Sequence, residues 1–226
     1  MSGSVSSSSS KFELTILMPL SVSAGTIVTA KVAGKEQVFA LGGQEITSLS
    51  EKELAALRLT RFGFVFQQAH LLTTLCLLDN IVLPGFLAGL RPRPEVTARG
   101  EELMERMGIA ELATSGVTEV SGGQLQRAGI CRALINDPGI VFADEPTGAL
   151  NSATALQILD LLGEIHTSGT TLVMVTHDSQ VAARADRVLV LVDGQITEDL
   201  LLGRYEEADG PARLTTVTEA LQRHSV

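Results

Sequence analysis

Two adjacent carboxylates, Asp144 and Glu145, follow four apolar residues, Ile140-Val141-Phe142-Ala143. A carboxylate at the end of a short buried strand can hold the magnesium that bridges nucleotide phosphates. A second carboxylate one residue further on can take the proton of the water that attacks a γ-phosphate. A solvated strand exit is the simpler reading of the same Asp-Glu-Pro stretch. Ser121-Gly122-Gly123-Gln124 supplies a second feature. Two glycines let main chain approach an anion, and the free amides and dipole of a helix start favour phosphate there. Alone, that tetrapeptide could be a glycine-rich cap. One helix and one turn ahead of Asp144, it forms a pair more specific than either part.

Two further apolar runs end in polar side chains: Phe62–Phe66 leads into Gln67, and Leu172–Thr176 leads into His177. In open α/β sheets, ligands collect outside the carboxyl ends of the strands. Gln67, Asp144, Glu145 and His177 are therefore expected to face one site, with His177 in reach of a γ-phosphate. Taken singly, His177 reads as a packed or solvent-facing histidine and Gln67 as an amide capping a turn.

The elements that must position these residues follow from the chain's punctuation. Ser48 and Ser50 before Glu51, Glu53, Leu54 and Leu57 predict a capped short helix. Helices without a strand are expected from Val96 to Ala113, and another from Gly122 to Ile135, ended by Asn136-Asp137-Pro138-Gly139. A helix over Ser152–Ile165, a strand over Thr171–Val175, a helix over Asp178–Ala185 and a strand over Val188–Val192 come next. Strands alternating with helices imply an α/β fold with a parallel sheet. Earlier, Leu14–Phe39 breaks into short β-branched runs with a hairpin-like character, and Met1–Ser10 has the serine-rich composition of a flexible arm. Arg213–Arg223 has helical character, and no function is read from it.

Composition narrows the class. A chain of 226 residues, 45% hydrophobic and without tryptophan, suits one α/β domain built on aliphatic side chains. The formal net charge of -9, without a basic cluster, repels phosphate backbones and argues against nucleic acid as a partner. Cys76 and Cys131 lack metal-ligand spacing and read as reduced, buried thiols of a cytosolic protein. Leu71–Leu90 is apolar but interrupted by Asp79, Asn80, Pro84 and Gly85, so it does not read as a membrane span. Lys11, Leu14–Leu20 and Val22-Ser23-Ala24 imitate a secretion signal, which Glu13 interrupts.

In order and spacing these residues resemble the ATPase domain of ABC transporters, over about Gly42 to Gln195. Gly63–Gln68 and Ala143–Leu150 look most like the lipoprotein-release and macrolide-export branch. The resemblance implies a P-loop NTPase-type parallel sheet flanked by helices, with an α-helical subdomain at about 71–120, in one domain over 1–200 followed by a tail, 201–226. It implies ATP and Mg2+ as cofactors, Gln67 as the Q-loop residue, Val120–Gln124 as the signature, Ile140–Glu145 as Walker B and His177 as the switch histidine. Asp144 and Gln67 would then contact magnesium, Glu145 and His177 would be catalytic, and Ser121, Gly122, Gly123 and Gln124 would touch nucleotide. The implied partners are a membrane permease, docked at Leu71–Leu90, and a second ATP-binding subunit in a homo- or heterodimer. The implied location is the cytoplasmic face of the cell membrane, reached through the permease.

Three departures accompany the resemblance. No G-x-x-x-x-G-K-[ST] occurs. The nearest relic places Lys11 at the lysine position, with Val5 and Ser10 where glycines belong and Phe12 where the magnesium-binding hydroxyl belongs. Asn151 replaces the usual D-loop aspartate, and Val120 the usual signature leucine. Three expectations follow: a true start upstream that carries the loop, an impaired subunit that lends its signature to a partner's ATP, or a disabled product. A non-hydrolysing regulatory module keeps the same fold and is the competing functional class. A soluble relative of DNA repair or translation would need an inserted coiled coil or a second domain that 226 residues cannot hold.

Overall fold

The computed structural model describes residues 12–18, 40–41, 44–46, 48–192 and 195–224. Lys11, with Val5 and Ser10 at the glycine positions, lies outside the described residues, as does most of the hairpin-like segment, whereas Phe12 at the hydroxyl position opens a strand. Two compact units emerge, one within Met18–Met174 and the other formed by Met1–Leu17 with Val175–Val226.

Strand β1, Phe12–Met18, belongs to the other unit up to Leu17, and the first unit contains a short antiparallel pair, β2 at Ala40–Leu41 and β3 at Gln44–Glu45. Helix α1, Glu51–Arg61, starts at Ser50, whose hydroxyl accepts from Glu53 N while the Glu53 carboxylate accepts from Ser50 N at 2.9 Å. The Ser50 hydroxyl, donating to Glu53 Oε2 at 2.6 Å, and Ser50 N together hold the Glu53 carboxyl below its ordinary range. Strand β4, Phe62–Val65, follows directly and pairs in parallel with β5, Ile140–Asp144, in a register that sets Phe64 opposite Phe142.

Between β4 and β5 lie three helices: α2, Leu77–Ala88; α3, Arg93–Arg106; and α4, Gly122–Leu134. Gly85 and Gly100 let α2 and α3 close, since a Cβ on either would stand 2.4 Å from Val96 Cγ1 or 2.6 Å from Val82 Cγ1. The segment 71–90, polar at four positions, is thus a twelve-residue helix closed by Gly89 in the left-handed region (φ 63°). Asn80, which interrupts its apolar pattern, is buried and satisfied: Oδ1 accepts from Leu72 N at 2.7 Å, and Nδ2 donates to Leu72 O and Cys76 O. Arg91 and Arg99 both pair with Asp137 and donate to carbonyls at the end of α4. Fully buried Leu77, Ile81, Leu103, Met104 and Ile130 make up much of this core, each contributing about 1.5–3 kcal/mol by leaving water. Helix α5, Ser152–Thr167, then leads to β6, Thr171–Thr176, the neighbour of β5, and within β6 the chain passes into the second unit.

In that second unit β1 pairs antiparallel with β7, Arg187–Val192, which pairs antiparallel with β8, Gln195–Leu201. The parallel arrangement expected from the sequence therefore holds for β4 and β5, while β7 and β8, joined across a two-residue connection, can only run antiparallel. Helix α6, Ser179–Ala182, is capped by Asp178, and α7, Gly210–His224, covers the predicted helical stretch of the tail. Cys131 is fully buried, and desolvation pushes its thiol up to about 12. Cys76 caps α2 through Sγ. Among the described residues no helix is long and apolar enough to cross a membrane.

Candidate active site

Strands β4 and β5 run in parallel, so their carboxyl ends leave the sheet side by side. Phe66, Gln67 and Gln68 continue from β4 and are exposed, while Asp144 ends β5 exposed and Glu145 follows half-buried. Glu145 has φ 43°, in the left-handed region that non-glycine residues seldom adopt, and such positions concentrate at functional sites. The turn beyond it is tied by Gly148 N to Glu145 O at 3.1 Å and Leu150 N to Thr147 O at 3.0 Å.

The two exits meet. The Gln67 amide lies against the turn after Asp144, where a Cβ on Gly148 would stand 2.9 Å from Gln67 Nε2. Behind Gln67, an aromatic file steadies the β4 exit, with Phe64 stacked on Phe142 at 5.6 Å and on Phe66 at 6.2 Å, and His70 edge-on to Phe66 at 5.7 Å.

Helix α4 presents Ser121–Gln124 at its start. Ser121 Oγ accepts from Gln124 N at 3.3 Å, and Gln124 Oε1 accepts from Ser121 N at 2.8 Å. Two of the predicted nucleotide ligands thus also build their own helix cap. Gly122 is exposed. Gly123 faces α5, where a Cβ would meet Thr154 Cγ2 at 2.6 Å, so close helix packing is a second reason for a glycine there. Asn151, the substituted D-loop position, caps α5 by accepting from Thr154 N at 3.0 Å, a role an aspartate fills equally well. A cavity of about 320 Å³ opens among Gln67, His70, Gly122, Gln126 and Leu150.

The structure thus brings Gln67 together with the turn that follows Asp144 and Glu145, and sets the start of α4 on the same cavity. His177 lies in the second unit, exposed immediately after β6; there Thr176 Oγ1 accepts from Asp178 N at 3.1 Å, and Asp178 caps α6.

Sequence reasoning passed over what holds the exits in place. Gln126, 3% exposed, donates from Nε2 to Phe66 O and to Pro146 O, both at 2.9 Å. Arg132, further along α4, donates to Ala69 O at 2.6 Å and to His70 O at 2.8 Å, and desolvation lowers its pKa. A signal for Gln126 was present. It stands at helical spacing in a file of small residues, Gly122, Gly129 and Ala133, and a lone amide on such a face is either costly or bonded.

A parallel α/β core with a paired carboxylate at one strand end, an amide at the next, and a serine-glycine helix start is the arrangement of an ATP-binding cassette. The chain matches the ABC transporter family over residues 16–148 and belongs to it. Among curated relatives it is 44% identical over 162 residues to the macrolide export ATP-binding/permease protein MacB of Rhodospirillum rubrum, covering 72% of this chain and 25% of that protein. It is 45% identical over 159 residues to the protein of the same name from Bartonella henselae, covering 70% and 24%. The chain therefore spans about a quarter of the length of these relatives. Among solved structures it is similar to a dimeric ATP-binding cassette in a post-hydrolysis state bound to ADP and Pi, with TM-score 0.64, 33% identity and 75% of each chain covered. The expected fold, an ATP-binding cassette of the ABC type, is borne out.

Proposed function

We propose that this cassette binds and hydrolyses ATP to drive export through a membrane permease, as a dimer of cassettes at the cytoplasmic face of the membrane. The observation that carries the reading is the junction of the two strand exits, where the Gln67 amide lies against the turn that Asp144 and Glu145 open. Asp144 offers an exposed carboxylate and Gln67 an amide oxygen, hard donors of the kind that magnesium accepts alongside phosphate oxygens and water. When bound, magnesium would neutralise charge on the phosphates. Glu145 is the general base for the attacking water, and His177, after β6, contacts the γ-phosphate. Ser121, Gly122, Gly123 and Gln124 serve the nucleotide held by the second subunit, whose approach their exposed helix start allows. The helical segment at about 71–120 is the permease-facing subdomain of a single domain over 1–200, with 201–226 as its tail. Leu72, Leu87 and Leu90, exposed by 50%, 67% and 61%, supply the apolar surface for that contact. The names of the relatives favour export of macrolide-like hydrophobic compounds.

Glu145→Gln tests the reading. MgATP binding should be retained and hydrolysis should fall at least about 100-fold, because the amide cannot take a proton. Absence of MgATP binding by the unmodified chain, alone and with a permease partner, would sink the proposal.

A further inference from the structure

The carboxamide of Gln126 holds two separate strand exits with one nitrogen. Its two N–H groups are each used once, on Phe66 O and on Pro146 O, both at 2.9 Å, in a setting only 3% open to solvent. Phe66 immediately precedes Gln67, and Pro146 immediately follows Glu145. Those two carbonyls therefore fix the main chain beside Gln67 and beside Glu145. Between them, Glu145 sits at a positive φ that a loose turn would relax, and the Gln67 amide lies against Gly148. A third contact makes the arrangement directional, since Arg132 on the same helix clamps Ala69 O and His70 O. Any shift of α4, whose first turn is Gly122 to Gln124, must carry both exits with it or break these bonds.

We propose that Gln126 is a positioning residue for ATP hydrolysis, registering Gln67 against Glu145 from behind without touching nucleotide. This rests on the reading of the chain as an ATPase. Neutrality is part of the function, because a lysine or arginine in its place would put a fixed positive charge behind the carboxylates that must bind magnesium and accept a proton.

The test uses the full chain with MgATP. Gln126→Leu keeps the bulk and removes both donors; kcat is expected to fall about 10- to 100-fold through lost alignment, with KM for MgATP changed less than about twofold. In Gln126→Glu, the protonated carboxyl still donates one bond, whereas the carboxylate faces two carbonyl oxygens. Its rate relative to the unmodified chain should therefore decline as pH rises, which a filler of space would not do. Folded variants that hydrolyse at the unmodified rate at every pH overturn the proposal and leave the ATPase reading intact. If the unmodified chain itself does not turn over MgATP, that reading has failed, and amide hydrogen exchange decides the present one. Faster exchange in both Phe66–His70 and Pro146–Leu150 of Gln126→Leu upholds the positioning role, and unchanged exchange in either segment overturns it. Should Gln126→Leu not fold, Gln126→Glu carries both readouts, with its loss of protection growing as pH rises.

Discussion

In each unit a buried side chain fastens the fold by donating to main-chain carbonyls, and the two differ in charge. In the first unit, neutral Gln126 bonds two carbonyls next to Gln67 and Glu145. In the second, Arg213, 6% exposed, donates from α7 to Ala183 O at 2.7 Å, to Leu202 O and Gly203 O at 3.1 Å, to Arg204 O at 3.2 Å, and to Ala185 O. Its guanidinium also lies 5.4 Å over the Tyr205 ring, which Arg184 approaches at the same distance. Guanidinium offers five donors against two and gathers a whole chain reversal, but it brings a permanent charge. Between Gln67 and Glu145 the fastener is the weaker, neutral one, with charged Arg132 bonding Ala69 O and His70 O further along α4; at the end of the fold the stronger one serves.

The largest expected effect breaks the stronger fastener. Arg213→Met keeps the aliphatic stem and strands five carbonyls. Because hydrogen bonds to charged donors contribute about 1.5–3 kcal/mol each and do not add, a loss of roughly 3 kcal/mol is expected in urea unfolding. Hydrogen exchange should quicken first at Ala183–Ala185 and Leu202–Arg204. Equal stability of the variant would mean that water replaces the guanidinium at no cost, and the contrast drawn above would fail.

Gly123 sharpens the same contrast inside the first unit, where packing and nucleotide binding compete to explain one residue. A methyl group at position 123 would stand 2.6 Å from Thr154 Cγ2, so Gly123→Ala should lose about 2 kcal/mol by overpacking. Thr154→Ser deletes that Cγ2 and should restore most of the stability in the double variant. Hydrolysis that returns along with stability identifies Gly123 as a packing residue. Hydrolysis that stays low in a restabilised protein means that nucleotide requires the bare main chain.

Much of the architecture could be read in advance because its elements carry their own punctuation. The turn at Asn136–Gly139 and the apolar run before Asp144 placed the end of α4 and β5 within a residue of where they lie, and the Ser50–Glu53 capping box placed the start of α1, which runs on to Arg61, four residues past Leu57. Helix α2 was harder to see, since Asn80 and Pro84 look like interruptions until Leu72 and Leu75 fold back to meet the Asn80 amide. That bond joins residues that are near in sequence but oriented only by the tertiary fold. The candidate site divides the same way. Strand-exit chemistry put forward Gln67, Asp144, Glu145 and His177 as candidates, but Gln126 and Arg132, which hold the exits after β4 and β5, bond main-chain oxygens 20 to 63 positions away, which side-chain spacing does not encode.

Ser121 gives a smaller and more selective effect. Its hydroxyl caps α4, so Ser121→Ala should cost about 1 kcal/mol, whereas glycine at a helix start costs only a few tenths. Both replacements remove the oxygen proposed to meet a partner's nucleotide. Equal loss of hydrolysis in Ser121→Ala and Ser121→Gly would assign the hydroxyl to the nucleotide, and loss that follows stability would assign it to the cap alone.

The smallest effect concerns the second unit's surface, where charge is paired rather than buried against carbonyls. Glu198 on β8 accepts from Arg223 Nε at 2.8 Å and Nη2 at 2.7 Å, and His224 Nε2 lies 3.0 Å away. The Arg223 bonds hold the Glu198 carboxyl below its ordinary value of 4.5. A carboxylate depressed in the folded state stabilises above its unfolded pKa, and that stabilisation disappears as pH falls through the folded value. Melting curves of the unmodified chain and Glu198→Gln should thus differ slightly near neutrality and converge as the medium is acidified below about pH 4. Arg213 donates to carbonyls, and Asp186 and Asp209 act on it through charge alone, so most of the deficit of Arg213→Met should persist across the same range. A deficit in Arg213→Met that shrank together with that of Glu198→Gln would show the tail to be held by ion pairing at its surface, and the distinction between a buried fastener and an exposed one would collapse.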